Sequence, residues 1–178
     1  MNDRYRSAIT FRTSWRIDHS DKVLDFEEDG SLSISETQGS VYFPLDYREF
    51  ITKYPGGVTP TEDDNFIIAE FVDESIEVQL DYLFGFEDVV FSCSSNCESI
   101  YAEGSKSRLP PQHVIIASGS IDDFVINVDR DNANFGKVYN WTRASDPWGI
   151  GDNTEGLGWV ADSFADLMNN LTEEKGYS

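Results

Sequence analysis

The chain is poor in the side chains that most often do chemistry or staple a fold. It has two cysteines and two histidines in 178 residues. Cys93 and Cys97 lie four apart, and only His19 and His113 remain to complete a four-ligand zinc site. Reduced thiols packed among apolar neighbours explain the pair better than a metal does, and no cofactor is expected. Long apolar runs are missing too: nothing nears the ~18 consecutive apolar residues of a membrane-spanning helix. The opening Met1-Asn2-Asp3-Arg4-Tyr5-Arg6 has no leader-type apolar stretch behind it. These absences set the expectation of a cytoplasmic protein that does not engage the membrane. Asn140-Trp141-Thr142 and Asn170-Leu171-Thr172 spell a glycosylation acceptor pattern, which carries no weight in that compartment.

Basic residues are also scarce. Thirteen Lys and Arg face 33 Asp and Glu, for a net charge of −20. The imbalance is uneven: residues 1–22 hold five basic and three acidic groups, and the rest holds eight basic against thirty acidic, a net −22. Such a field repels nucleic acid and anionic membrane and speeds encounter with basic proteins. It also exceeds what solubility alone requires.

What is present argues for a packed globule. Aromatic residues make up 13% of the chain and hydrophobic residues 39%, and a domain of this length buries about 70% of its unfolded surface without staples. The clearest element is residues 43–57. Apolar residues at 43, 47, 50, 51 and 54 form one helical stripe. Pro44 suits the first turn, Pro55 disfavours helix at Tyr54, and Gly56-Gly57 allow a sharp exit. Tyr47, Phe50, Ile51 and Tyr54 are expected to face a core, with Arg48, Glu49 and Lys53 in water.

Period-2 alternation predicts a strand over residues 5–17, with Trp15 and Ile17 inward and arginines outward. A hairpin is expected from 23–26 to 31–34, turning at Asp29-Gly30. A polar loop over 58–65 precedes strands at 66–71 and 75–84, and residues 87–107 read as helical. The segments 114–120, 124–129 and 138–141, joined by turns, predict an antiparallel meander. A loop from 144 to 158, holding Pro147 and Trp148, leads to a strand at 158–160 and a closing helix. Ser163 and Asp166 have capping-box spacing there, and Phe164, Leu167, Met168 and Leu171 form the apolar face.

Four pieces of this pattern carry a resemblance. Pro44-x-Asp46-Tyr47-x-x-Phe50 with its Gly-Gly turn, Leu109-Pro110 before the strand at 114–117, Gly136-Lys137-Val138-Tyr139-Asn140-Trp141, and Val160-Ala161-Asp162-Ser163-Phe164 occur in the order seen in the SUKH superfamily. Together they span about residues 43–171. The resemblance implies a single α+β domain, a mainly antiparallel twisted sheet with a few short helices packed on it. The expected organisation is an N-terminal strand-and-hairpin elaboration at 1–40, a SUKH-like domain at 41–172 and a tail at 173–178. The hairpin departs from the family, where a helix usually precedes the Pro-x-Asp-Tyr helix.

No catalytic constellation emerges from the residues. Asp129-x-Asp131 begins like a calcium loop but continues with Ala133, Asn134 and, at position twelve, Asn140. The glycines at 149, 151, 156 and 158 lack a strand–loop–helix context for phosphate, and His113 opens a buried strand, where a structural role is the default. The expectation is therefore a protein without catalytic activity. The resemblance implies partner binding: bacterial relatives look like immunity proteins that block a cognate toxin domain, often a nuclease, and eukaryotic relatives look like regulators. A basic toxin is the partner expected here, met by acids on loops and one aromatic anchor. The candidate contact residues are Glu62, Asp63, Asp64, Asp122, Asp123, Trp148 and Asp152. Each also suits an ordinary solvated turn.

Overall fold

The computed structural model describes residues 15–35, 39–60, 65–97, 109–120, 122–142 and 156–172. Ten strands and three helices follow one another along them: β1 (Arg16–Ile17), β2 (Ser31–Ser35), β3 (Gly39–Tyr42), α1 (Leu45–Lys53), β4 (Gly57–Thr59), β5 (Phe66–Glu70), β6 (Ser75–Phe84), α2 (Phe86–Cys97), β7 (His113–Gly119), β8 (Asp123–Asn127), β9 (Val138–Trp141), β10 (Leu157–Ala161) and α3 (Phe164–Asn170). The fold is α+β with an antiparallel sheet.

The meander extends further than the sequence suggests. Strands β5 to β10 each pair antiparallel with the next, and Trp159 of β10 pairs with Glu70 of β5. Six strands therefore form a ring, closed at a narrow seam. Thr172 covers the other end of β5, exchanging backbone hydrogen bonds of 3.0 and 2.9 Å with Phe66. β4 extends the sheet from the upper part of β6, and β1 pairs with β4. A separate hairpin is formed by β2 and β3.

Residues Leu45 to Lys53 form a helix for the reasons their spacing gives. Tyr47, Phe50 and Ile51 are buried, and Tyr54 packs partly against the same core. Phe164 of α3 meets them edge-on and tilted, its ring centroid 5.0 Å from Tyr47 and 4.8 Å from Phe50. Ser163 caps α3, its hydroxyl accepting the Asp166 N–H at 3.0 Å. That is half of the capping box the spacing suggested. Helix α2 lies on β6, β7 and β2.

The Gly-Gly turn does more than bend the chain. Gly57 has φ +88°, and a Cβ there would stand 2.6 Å from the Leu83 carbonyl oxygen and 2.8 Å from the Gly85 N. The turn at Gly56-Gly57 is thus pressed against the Phe84-Gly85-Phe86 turn, with the Phe86 N–H bonded to the Pro55 carbonyl at 2.9 Å.

Three expectations need correction. Gly57–Thr59 is a strand rather than the start of a polar loop, because Gly57 and Val58 pair with Phe84 and Leu83 and Val58 is fully buried. The hairpin is displaced by one segment: residues 27–30 do turn, with Glu27 N–H bonded to Ser31 O at 2.9 Å, but β2 pairs forward with β3 rather than back with 23–26. Ile17 is 52% exposed although Trp15 is buried, since β1 is only two residues long and its far end leaves the core. The helix at 87–107 is described from Phe86 to Cys97; the remainder, like most of the strand at 5–17, lies outside the described residues.

Candidate partner-binding surface

Of the seven candidate contact residues, only Asp122 and Asp123 fall among the described residues; Glu62, Asp63, Asp64, Trp148 and Asp152 lie outside them. The two neighbours part company. Asp123 is 7% exposed and opens β8, where it pairs with Trp141 and Ser118. It stands inside the strand ladder rather than on a loop rim. Asp122 is half-buried in the turn between β7 and β8; its backbone oxygen accepts the Gly119 N–H at 2.7 Å and its Oδ2 accepts the Thr142 hydroxyl at 3.3 Å.

Asp122 lines a recess of ≈ 170 Å³. Phe66, Ile76 and Val78 supply apolar wall, and Glu77, Gln79, Asp122 and Asn140 supply polar groups; among the described residues neither Lys nor Arg borders it. The recess exists because β7 ends at Gly119 while β6 runs on toward Ser75, leaving the first half of β6 without β7 beside it. Gly119 sets that close approach: a Cβ on it would stand 2.5 Å from the Gln79 carbonyl oxygen and 2.9 Å from the Asp122 carbonyl oxygen. Asn140 is 1% exposed, and its Oδ1 has no hydrogen-bond partner among the described residues. A buried amide oxygen without a donor is costly.

From the recess β6 runs to a hairpin end that the sequence reading did not single out. There Phe71 N–H bonds to Glu74 O at 2.8 Å, and Glu70, Asp73 and Glu74 are exposed around Val72, which is 96% exposed. The signal was present in Val72-Asp73-Glu74, a short acidic break between two strands. An acidic edge with an apolar tip therefore joins a recess bordered by Glu77 and Asp122.

The other polar residues that attracted attention have structural roles. His113 Nδ1 donates to the Pro111 carbonyl at 2.7 Å, its Nε2 lies 3.5 Å from Asn127 Nδ2, and its ring meets Tyr139 edge-on at 5.7 Å. Burial pulls its pKa below the usual histidine value, against the opposing effect of the Pro111 bond. Asp129 accepts the Asp131 N–H at 3.1 Å, so it folds its own turn. Cys93 is buried, and among the described residues no His, Cys, Asp and Glu gather as metal ligands would. No described helix is long and apolar enough to cross a membrane.

The family model for SMI1 / KNR4 (SUKH-1) matches residues 31–170. The chain belongs to this family. The match begins at β2 and runs through α3. SUKH membership is consistent with an immunity or a regulatory module. Neither a curated protein nor a solved structure matches the chain.

Proposed function

We propose that this SUKH protein is a non-catalytic binding module that neutralises a basic toxin domain by covering its active site or nucleic-acid groove. The observation that carries this reading is the net charge of −20, met in the fold by an edge where Glu70, Asp73, Glu74, Glu77 and Asp122 stand along β5, β6 and the β7–β8 turn. Toxins that cut or modify nucleic acid hold phosphates and so present basic surfaces, and an acidic inhibitor meets them with fast, steered association. No covalent step is needed. Glu62, Asp63, Asp64, Trp148 and Asp152 remain candidates for the same contact.

The test is tagged co-expression with the product of the neighbouring reading frame, followed by association kinetics at low and high salt. A stoichiometric complex with a basic, growth-inhibiting protein is expected, with salt slowing association more than it speeds release. A column that retains no neighbour product would turn the reading toward a regulatory scaffold with a cellular partner, the other role that SUKH membership fits. Association that ignores salt would remove steering from the mechanism.

A further inference from the structure

We propose that Trp159 anchors the contact with the basic partner, at the centre of a sheet face that the fold leaves uncovered; this inference rests on the function proposed above. The register sets one residue of each strand in a continuous row: Ile115 of β7, Val125 of β8, Tyr139 of β9, Trp159 of β10, Glu70 of β5 and Ser75 of β6. Residues directly opposite one another share a face. Burial falls off along this row. Ile115 and Val125 are fully buried, Tyr139 and Trp159 are half-buried, and Glu70 and Ser75 are exposed. Packing therefore covers the face at β7 and β8 and stops short of the seam between β10 and β5.

Three features suit this uncovered end to a basic protein. The indole is held in place: its N–H donates to Asp162 Oδ1 at 3.3 Å, and the same oxygen lies 3.7 Å from the Lys137 ammonium. Beside it, the single register pair between β5 and β10 leaves a gap of ≈ 210 Å³ walled by Ile68, Val160 and Trp159, with Ile68 38% exposed. The margin is acidic. Glu70 faces Trp159 across the seam, and Phe71 lies against Gly158, where a Cβ would stand 2.5 Å from its ring. That contact seats the 71–74 turn on β10, so Asp73, Glu74 and the 96% exposed Val72 stand at the end of the same seam. A large aromatic among apolar neighbours, margined by charge, is the setting in which binding hot spots occur, because Trp and Tyr bury much area for little lost rotamer freedom. The acids select a basic occupant. A second copy of this chain, with the same net charge of −20, would be repelled.

The test takes the full chain, free and in complex with the basic protein it captures from the neighbouring reading frame. Hydroxyl-radical footprinting of wild type should show Trp159 and Tyr139 oxidised in the free chain and protected in the complex. Trp159→Ala should raise the dissociation constant by about thirtyfold or more, mainly through faster release. Joint Glu70→Gln, Asp73→Asn and Glu74→Gln should instead slow association and flatten its salt dependence. Melting curves check that each variant folds; should Trp159→Ala not fold, the wild-type footprint decides alone. If a basic protein is captured but Trp159 is oxidised equally in both states, or folded Trp159→Ala leaves the dissociation constant within about twofold, the anchor assignment falls while the proposed function stands. If no basic protein is captured, the function and the anchor fall together. A chain that sediments alone as a dimer, and that Trp159→Ala turns into a monomer, would give the face to a second copy and overturn the proposal.

Discussion

Asp46 Oδ2 accepts the backbone N–H of Ala165 at 2.9 Å, across 119 residues of sequence. Its other oxygen accepts the N–H of Tyr47, also at 2.9 Å. Ala165 lies in the first turn of α3, where backbone donors have no partner inside the helix. Ser163 supplies one acceptor to that turn and Asp46 supplies another from α1. The aspartate of the Pro-x-Asp-Tyr motif is thus a helix cap provided in trans, and it fixes the first helix to the last.

Removing this cap should be costly. Asp46→Ala is expected to lower stability by about 2 kcal/mol, and Asp46→Asn, which keeps one acceptor, by less. Urea midpoints read the difference. Burial raises the Asp46 carboxyl pKa above its ordinary value despite the backbone N–H groups of Ala165, Tyr47 and Asp46 itself, which lower it. The folded state therefore holds this proton to higher pH than the unfolded chain, and the advantage of wild type over Asp46→Asn should shrink as pH rises above about 3.9. A midpoint for Asp46→Ala equal to wild type would remove the cap from the account.

The neighbouring tyrosine makes the opposite prediction. Tyr47 is fully buried, and its hydroxyl has no hydrogen-bond partner among the described residues; burial pushes its pKa well above the usual tyrosine value. Tyr47→Phe deletes an unsatisfied polar group and keeps the ring contacts with Phe43 and Phe164. Stability should be unchanged or rise by up to about 1 kcal/mol. A melting temperature clearly below wild type would mean that the hydroxyl is paired.

His113 should leave a mark on the pH dependence of stability. Its folded pKa is lowered by burial, so as pH falls through about 6.5 the unfolded chain gains a proton that the folded chain refuses. Stability is expected to fall by up to about 1.4 kcal/mol per pH unit until the folded pKa is reached. Chemical denaturation of wild type and His113→Gln between pH 5 and pH 8 isolates this contribution as a difference. Parallel curves would show that His113 titrates alike in both states.

Two glycines with positive φ separate backbone strain from collision. Gly39, at φ +67°, would meet nothing within 4 Å among the described residues if given a Cβ, whereas at Gly57 the Cβ would press on Leu83 O and Gly85 N. Gly39→Ala should cost about 1 kcal/mol for the left-handed backbone alone. Gly57→Ala should cost clearly more, about 3 kcal/mol. Equal losses would show that the crossing turns can move apart.

The sequence made α1, β5, β6 and the meander legible because each rests on local periodicity that its own residues carry. Ser163 announced its cap by spacing alone. What stayed hidden depends on distant partners. Nothing near Asp46 signals that its acceptor role lies on a helix more than a hundred residues away. Val58 reads as loop because its neighbours are Gly, Thr and Pro, and only Leu83 and Ile17 on either side make it a strand. The recess likewise has no linear signature: it brings together Phe66, the 76–79 stretch, Asp122 and Asn140. Asn140, which reads as a glycosylation acceptor, is 1% exposed within β9.

The ring of strands has a bearing on how the protein is made. Each strand from β6 to β10 pairs with the one just before it, so this part of the sheet can be laid down in the order of synthesis. The pairing of Trp159 with Glu70 and the Asp46–Ala165 bond cannot form until the last segment has emerged. Until then the outer edge of β5, Phe66-Ile67-Ile68-Ala69-Glu70, is an open apolar template of the kind that invites pairing with another chain. Emergence of residues 157–172 is the step that ends this exposure, and a truncation before Trp159 should aggregate rather than accumulate as a soluble intermediate.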